Sequence, residues 1–144
     1  MLKILLVEDD HVQRDYVRDA LAGALGAVVE TKACEWDFQR DFDAIASNPP
    51  DVAVLDIMLR WASPSRDRLE PAKELTPYQA GLRCAKRLHE DSRTQTVRVI
   101  LYSVLPKEDI PDVALPDNVT FVVKEPDCEN LIVVVKNVSA SLSV

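Results

Sequence analysis

Two segments decide the fold: VAVLD, residues Val52–Asp56, and KILLVEDD, residues Lys3–Asp10. Each is a short apolar run that ends in acidic residues. Continuous apolar runs of this length, bounded by polar residues, are typical of strands that are buried on both faces of a parallel sheet. Open α/β sheets bind their ligands beyond the carboxyl ends of the strands. The acids of both segments are therefore expected to meet at one edge of a sheet.

Two later apolar runs end in the same way, RVILYS at Ser103 and VTFVVK at Lys124. The predicted strands are Lys3–Val7, Val28–Ala33, Asp51–Asp56, Val97–Ser103 and Val119–Lys124. Helical periodicity lies between and after them, at His11–Leu25, Glu35–Ser47, from Thr76 to about Asp91, and in the tail from Asp127. This alternation predicts an α/β fold with a doubly wound, five-stranded parallel sheet and right-handed crossovers. Carboxylates, a hydroxyl and an ammonium at one edge would suit a divalent cation and a phosphoryl group.

Length and composition narrow the classes of function. The chain has 144 residues, which predicts one domain, and its net charge of -7 disfavours binding to nucleic acid. No apolar stretch approaches the ~20 residues of a membrane-spanning helix. The three cysteines are odd in number and widely spaced, which favours reduced thiols in a cytoplasmic protein.

Four strand-end motifs, LLVEDD, VAVLDIM, VILYS and FVVKEP, occur in this order along nearly the whole chain. Together they resemble the receiver domain of two-component response regulators, the CheY-like signalling domain. The resemblance implies a flavodoxin-like sheet with strand order 2-1-3-4-5 and a single receiver domain over residues 1–144. A chain of this length has no room for a separate output domain, so a stand-alone receiver is expected, although a piece of a longer protein would show the same pattern.

The resemblance also assigns roles to individual residues. Asp56 matches the phosphoacceptor. Asp9 and Asp10 match the acidic pair that holds Mg²⁺, and the backbone carbonyl of Met58 matches the third metal ligand. Ser103 matches the switch hydroxyl, Phe121 matches the switch aromatic and Lys124 matches the invariant lysine. The implied partner is a histidine kinase or histidine phosphotransfer protein, whose phosphohistidine donates to Asp56, and a downstream protein target is possible. Mg²⁺ prefers oxygen ligands, and cations neutralise the charge of a transferring phosphoryl group.

The chain departs from the family pattern at several positions. Arg60 stands where a proline is usual, and Glu125 separates Lys124 from the proline that normally follows it. The glycine that matches the family, Gly81, lies far beyond Asp56, so residues 60–75 are predicted to form an inserted loop. This loop is either a tolerated surface insertion or a lid or partner contact beside the site.

Other functions and other roles stay open at this point. A degenerate receiver would act as a protein-binding module without phosphorylation. A Mg²⁺-dependent phosphatase would need a second carboxylate two positions after the nucleophile, where Met58 stands, so the protein is not expected to be an enzyme. Taken singly, Asp9 and Asp10 could simply cap the first helix.

Overall fold

The computed structural model describes residues 1–57, 59, 80–104 and 118–140. Within these ranges five parallel strands form one sheet in the order β2-β1-β3-β4-β5. The strands are β1 (Lys3–Val7), β2 (Val28–Lys32), β3 (Val52–Leu55), β4 (Arg98–Ser103) and β5 (Val119–Val123). The parallel pairing and the strand order confirm the predicted doubly wound fold. The bounds of β1 match the prediction, and the other strands are shorter by one residue at one or both ends.

Helices cover both faces of the sheet. They are α1 (His11–Leu25), α2 (Glu35–Arg40), α3 (Phe42–Ser47), α4 (Ala80–Glu90) and α5 (Glu129–Ala140). The β-branched run LIVVV belongs to α5, which confirms the helical prediction for the tail. The inserted loop predicted at 60–75 and the helix start predicted at Thr76 lie outside the described residues.

Each face of the sheet carries its own apolar cluster. Along β1, Ile4 and Leu6 join the cluster under α1 and α5, while Leu5 and Val7 join the cluster under α2, α3 and α4. Successive side chains of a strand point to opposite faces, so a strand covered on both faces must be apolar at every position. This explains why Ile4–Val7 of β1 and the whole of β3 are unbroken apolar runs.

The prediction of a single helix over Glu35–Ser47 is wrong. The segment forms two helices, α2 and α3, which are separated at Asp41. Asp41 leaves helical geometry, with φ −95° and ψ 10°. Its carboxylate accepts hydrogen bonds from Lys32 Nζ and from Arg40 Nε, both at 2.8 Å. The helical hydrogen bonds continue through the break, because the N–H of Asp41 donates to the carbonyl of Asp37 and the carbonyl of Asp41 accepts the N–H of Ile45, both at 3.0 Å. Periodicity alone does not reveal the break at Asp41.

Candidate functional site

An ammonium joins two carboxylates at the carboxyl edge of the sheet. Glu8, Asp56 and Lys124 directly follow β1, β3 and β5. Lys124 Nζ donates to Glu8 Oε1 at 2.7 Å and to Asp56 Oδ2 at 3.0 Å. None of these three side chains is more than 14% exposed. Residues far apart in sequence therefore form one partly buried ionic cluster, because parallel strands end at the same edge.

Three carboxylates converge at this edge. One oxygen each of Glu8, Asp9 and Asp56 lies within 4.8 Å of the others. Clustered carboxylate oxygens are the donor set that Mg²⁺ takes in proteins, so these residues fit a hard divalent cation. The predicted third ligand, the carbonyl of Met58, lies outside the described residues.

Asp10, which was predicted as the second member of the acidic pair, does not lie in this group of carboxylates. Asp10 is the N-cap of α1, and its Oδ1 accepts from the backbone N–H groups of Val12 at 2.9 Å and Gln13 at 3.1 Å. These bonds lower the pKa of Asp10. Because β1 ends at Val7, Glu8 is the first residue beyond the strand and takes the inward place. The pair beside Asp56 is therefore Glu8 and Asp9.

Every polar atom of Glu8 makes a hydrogen bond. Glu8 was not among the site residues predicted from the sequence. Its N–H donates to the carbonyl of Lys32 at 3.1 Å, and its Oε2 accepts from the N–H of Asp9 at 3.1 Å. Burial, followed by the neighbouring Asp56, raises the pKa of Glu8 to about 8, and Lys124 opposes that rise. Burial lowers the pKa of Lys124, but Asp56 and Glu8 outweigh it, so the net shift is upward. The end of the buried run at Val7 was the signal that could have identified Glu8.

The stability of the metal-free protein should respond to the ionisation of Glu8. Folding raises the pKa of this carboxyl from 4.5 to about 8, so its contribution to stability is full below pH 4.5 and is lost as the pH rises through about 8. Between pH 4.5 and about 8, we expect the free energy of unfolding of wild type to fall relative to that of Glu8→Gln. The fall should be a few kcal/mol at most. Urea unfolding of both proteins at a series of pH values measures the difference.

The exposed Glu90 supplies the control for this experiment, since Glu90→Gln changes a carboxylate that is 61% exposed and pairs with the exposed Lys86 at 3.8 Å. Its unfolding free energy should follow that of wild type at every pH. A constant gap between wild type and Glu8→Gln across the window would contradict the prediction.

The two predicted switch residues lie on β4 and β5. Ser103 ends β4 and is buried, and its carbonyl accepts the N–H of Lys124 at 2.7 Å. Phe121 is partly buried and packs against the cluster under α2, α3 and α4. Both therefore lie on strands that border the ionic cluster, and their switching roles stay predictions.

An open cleft of about 440 Å³ gives access to the cluster. The described residues that line it are Glu8, Asp9, Asp10, Gln13, Asp56, Val104, Lys124, Glu125 and Pro126. A larger cleft of about 720 Å³ lies at the opposite end of the strands, near Leu2 and Asp51. Asp51 there accepts the backbone N–H of Lys3 at 2.9 Å, which is an ordinary structural bond. Only the smaller cleft combines converging carboxylates with an ammonium among the described residues.

Helix α4 begins against the backbone that carries Asp56. The N–H of Gly81 donates to the carbonyl of Ile57 at 3.0 Å. A Cβ at position 81 would lie 2.2 Å from the carbonyl oxygen of Asp56. The contact explains why a glycine is needed at this point of the chain.

Comparison with known proteins gives the fold. No protein-family model matches the chain, and no curated protein matches it in sequence. Solved structures do match. One is the response regulator TrrA from Thermotoga maritima in complex with Mg²⁺-BeF, whose sequence is 20% identical to this one. The two structures superpose with a TM-score of 0.66, over 96% of this chain and 99% of TrrA. This chain has the receiver-domain fold.

Two further receiver-fold structures agree. A putative response regulator from Chloroflexus aurantiacus has 20% identity and a TM-score of 0.68, over 96% of this chain and 98% of that one. The chemotaxis response regulator CheY4 of Vibrio cholerae has 16% identity and a TM-score of 0.64, with the same coverage. The receiver fold therefore spans nearly the whole chain, as the strand-end motifs predicted. Within the described part of the chain, none of the helices has the length and apolar character required to span a membrane.

Proposed function

We propose that this protein is a signalling receiver that accepts a phosphoryl group on Asp56 in a two-component phosphorelay. The observation that carries the proposal is the Lys124 ammonium, which bridges Glu8 and Asp56 inside a group of three carboxylates. Helix capping or surface solvation would not require a lysine and an aspartate 68 residues apart to meet in a partly buried cluster. Phosphoryl transfer to a carboxylate uses all of these groups: Asp56 as the nucleophile, Lys124 as a cation and the other carboxylates as metal ligands.

The proposed transfer uses the groups of this cluster. An oxygen of Asp56 attacks the phosphorus of a donor phosphohistidine, and a P–O bond forms as the P–N bond breaks. The imidazole nitrogen of the donor keeps the electron pair of the broken bond. Lys124, already 3.0 Å from Asp56 Oδ2, neutralises charge on the transferred group. Mg²⁺, held by Asp9 and Asp56 with Glu8 beside them, would supply further positive charge at the phosphoryl oxygens.

The TrrA complex supports the choice of metal, since that protein has the same fold and holds Mg²⁺-BeF. The donor in this proposal is a histidine kinase or histidine phosphotransfer protein, and the setting is the cytoplasm. Helix α1 offers a contact surface for that donor, because Val12 and Tyr16 lie one turn apart on the helix and are 63% and 49% exposed. Gln13, which follows Val12, lines the cleft. In this role the protein passes on a signal and does not turn over a substrate as an enzyme.

A phosphorylation assay tests the proposal. We expect wild type, incubated with a small phosphodonor and Mg²⁺, to gain one phosphoryl group by intact mass. Asp56→Asn should gain none, and omission of Mg²⁺ should abolish the gain. Asp51→Asn provides the matched control, because Asp51 precedes the same strand at its other end. That variant should be modified like wild type.

A protein donor completes the test. If neither the small donor nor a phosphorylated phosphotransfer protein modifies wild type, the proposal fails. Persistent binding to the phosphotransfer protein would then identify the chain as a phosphorylation-independent binding module. Modification that survives in Asp56→Asn would refute the assignment of the acceptor.

A further inference from the structure

The carbonyl and the N–H of the peptide group between Glu8 and Asp9 are both hydrogen-bonded to side chains. Its carbonyl, that of Glu8, accepts from Arg14 Nη1 at 3.0 Å. Its N–H, that of Asp9, donates to Glu8 Oε2 at 3.1 Å. The plane of this peptide is therefore fixed by a guanidinium on one side and a carboxylate on the other.

These bonds continue into the site. The carboxylate that accepts the Asp9 N–H also accepts Lys124 Nζ at 2.7 Å, and Lys124 in turn contacts Asp56. A cationic donor on a carbonyl polarises the peptide and strengthens the hydrogen bond that its N–H donates. Arg14 thus acts on the Glu8 carboxylate through a single peptide group.

We propose that Arg14 is a positioning residue, which sets the Glu8–Asp9 peptide so that both carboxylates face Asp56. This inference rests on the proposed function, since it assigns Arg14 a role in the same metal and phosphoryl site. Arg14 touches neither reacting atom. Its half-buried position in the second turn of α1 lets it tie the helix to the end of β1.

Arg18 is the matched control, since it lies one turn further along the same helix. Its guanidinium pairs with Asp15 at 3.2 Å and with Asp19 at 3.1 Å, and all three side chains are at least 41% exposed. Loss of the cation at position 18 therefore leaves the Glu8–Asp9 peptide unchanged. Exposed pairs of this kind contribute little to stability.

The first readout is local and needs no metal. In the metal-free protein, Arg14→Met should shift the Asp9 amide signal in NMR spectra and speed its hydrogen exchange, because the polarised N–H bond is weakened. Arg14→Lys should restore much of the wild-type behaviour, since an ammonium still donates to the carbonyl. Arg18→Met should leave the Asp9 amide as in wild type.

The second readout is the Mg²⁺ affinity by titration calorimetry. Residues that orient metal ligands change affinity by about 10–100-fold when they are replaced, and we expect Arg14→Met to lie near the low end, about 10-fold. Arg14→Lys should recover most of that loss, and Arg14→Gln replaces Arg14→Met if the latter does not fold. Wild-type values for both the Asp9 amide and the Mg²⁺ affinity in Arg14→Met would overturn the inference.

The two proposals fail separately. If Asp56 accepts no phosphoryl group, the proposed function is lost, while the Asp9 amide still reports on Arg14. If Asp56 is phosphorylated normally and the Arg14 variants match Arg18→Met in both readouts, only the positioning role is refuted.

Discussion

Gly81→Ala should destabilise the protein by about 3 kcal/mol, because the new Cβ has no space to occupy. It would lie 2.2 Å from the carbonyl oxygen of Asp56 and 2.7 Å from Cα of Ile57. Both obstacles are backbone atoms, so no side-chain rotation relieves the clash. Either α4 or the backbone of Asp56 must move, and movement of either disturbs the site.

Urea unfolding measures the loss, and Gly23→Ala is the control. Gly23 lies inside α1 with no atom within 4 Å of an added Cβ. Alanine is favoured over glycine in a helix interior by up to about 1 kcal/mol, so this variant should be as stable as wild type or more so. If Gly81→Ala unfolds at the wild-type urea concentration, the close approach of α4 to Asp56 is refuted.

Arg83→Met should cost about 3–5 kcal/mol, because it leaves the buried carboxylate of Glu35 without its cation. Arg83 reaches from α4 to α2, where its Nη2 and Nε donate to the two oxygens of Glu35 at 2.6 and 2.8 Å. The carboxylate of Glu35 is only 2% exposed. A bidentate pair of this kind satisfies both oxygens of the Glu35 carboxylate, and Arg83→Met removes both charged donors.

A double variant separates the pair from its parts. Glu35→Gln/Arg83→Met removes the orphaned charge together with its partner and should recover most of the loss. Arg87→Met is the control on the same helix, since exposed Arg87 donates to the neutral amide oxygen of Gln39 and its guanidinium lies 4.2 Å from the centre of the Phe42 ring. Loss of these two contacts should cost about 1–2 kcal/mol, less than the loss of Arg83. Equal unfolding midpoints for Arg83→Met and Arg87→Met would show that Glu35 does not depend on Arg83.

The sequence predicted the sheet well because the relevant signals are local. The buried runs Ile4–Val7 of β1 and Val52–Leu55 of β3 are apolar at every position, as strands covered on both faces require. The predicted end of α1 at Leu25 also has a local cause, because Gly26 follows it and takes the left-handed conformation, with φ +61°. The strand-end residues Asp56 and Lys124 followed from the rule that parallel strands finish at a common edge.

The tertiary structure decided what depends on distances between separate elements. The family resemblance assigned the acidic pair to Asp9 and Asp10 within the acidic run Glu8–Asp10. The side-chain directions in that run follow from the end of β1 at Val7 and from the capping of α1. The Arg83–Glu35 pair and the approach of Gly81 to Asp56 join residues 48 and 25 positions apart. Hydrophobic periodicity reports which face of an element is buried, and it carries no information on which polar groups meet across elements. The sequence therefore determined the layers and the edge of the sheet where the site lies, and only packing determined which carboxylate faces Asp56.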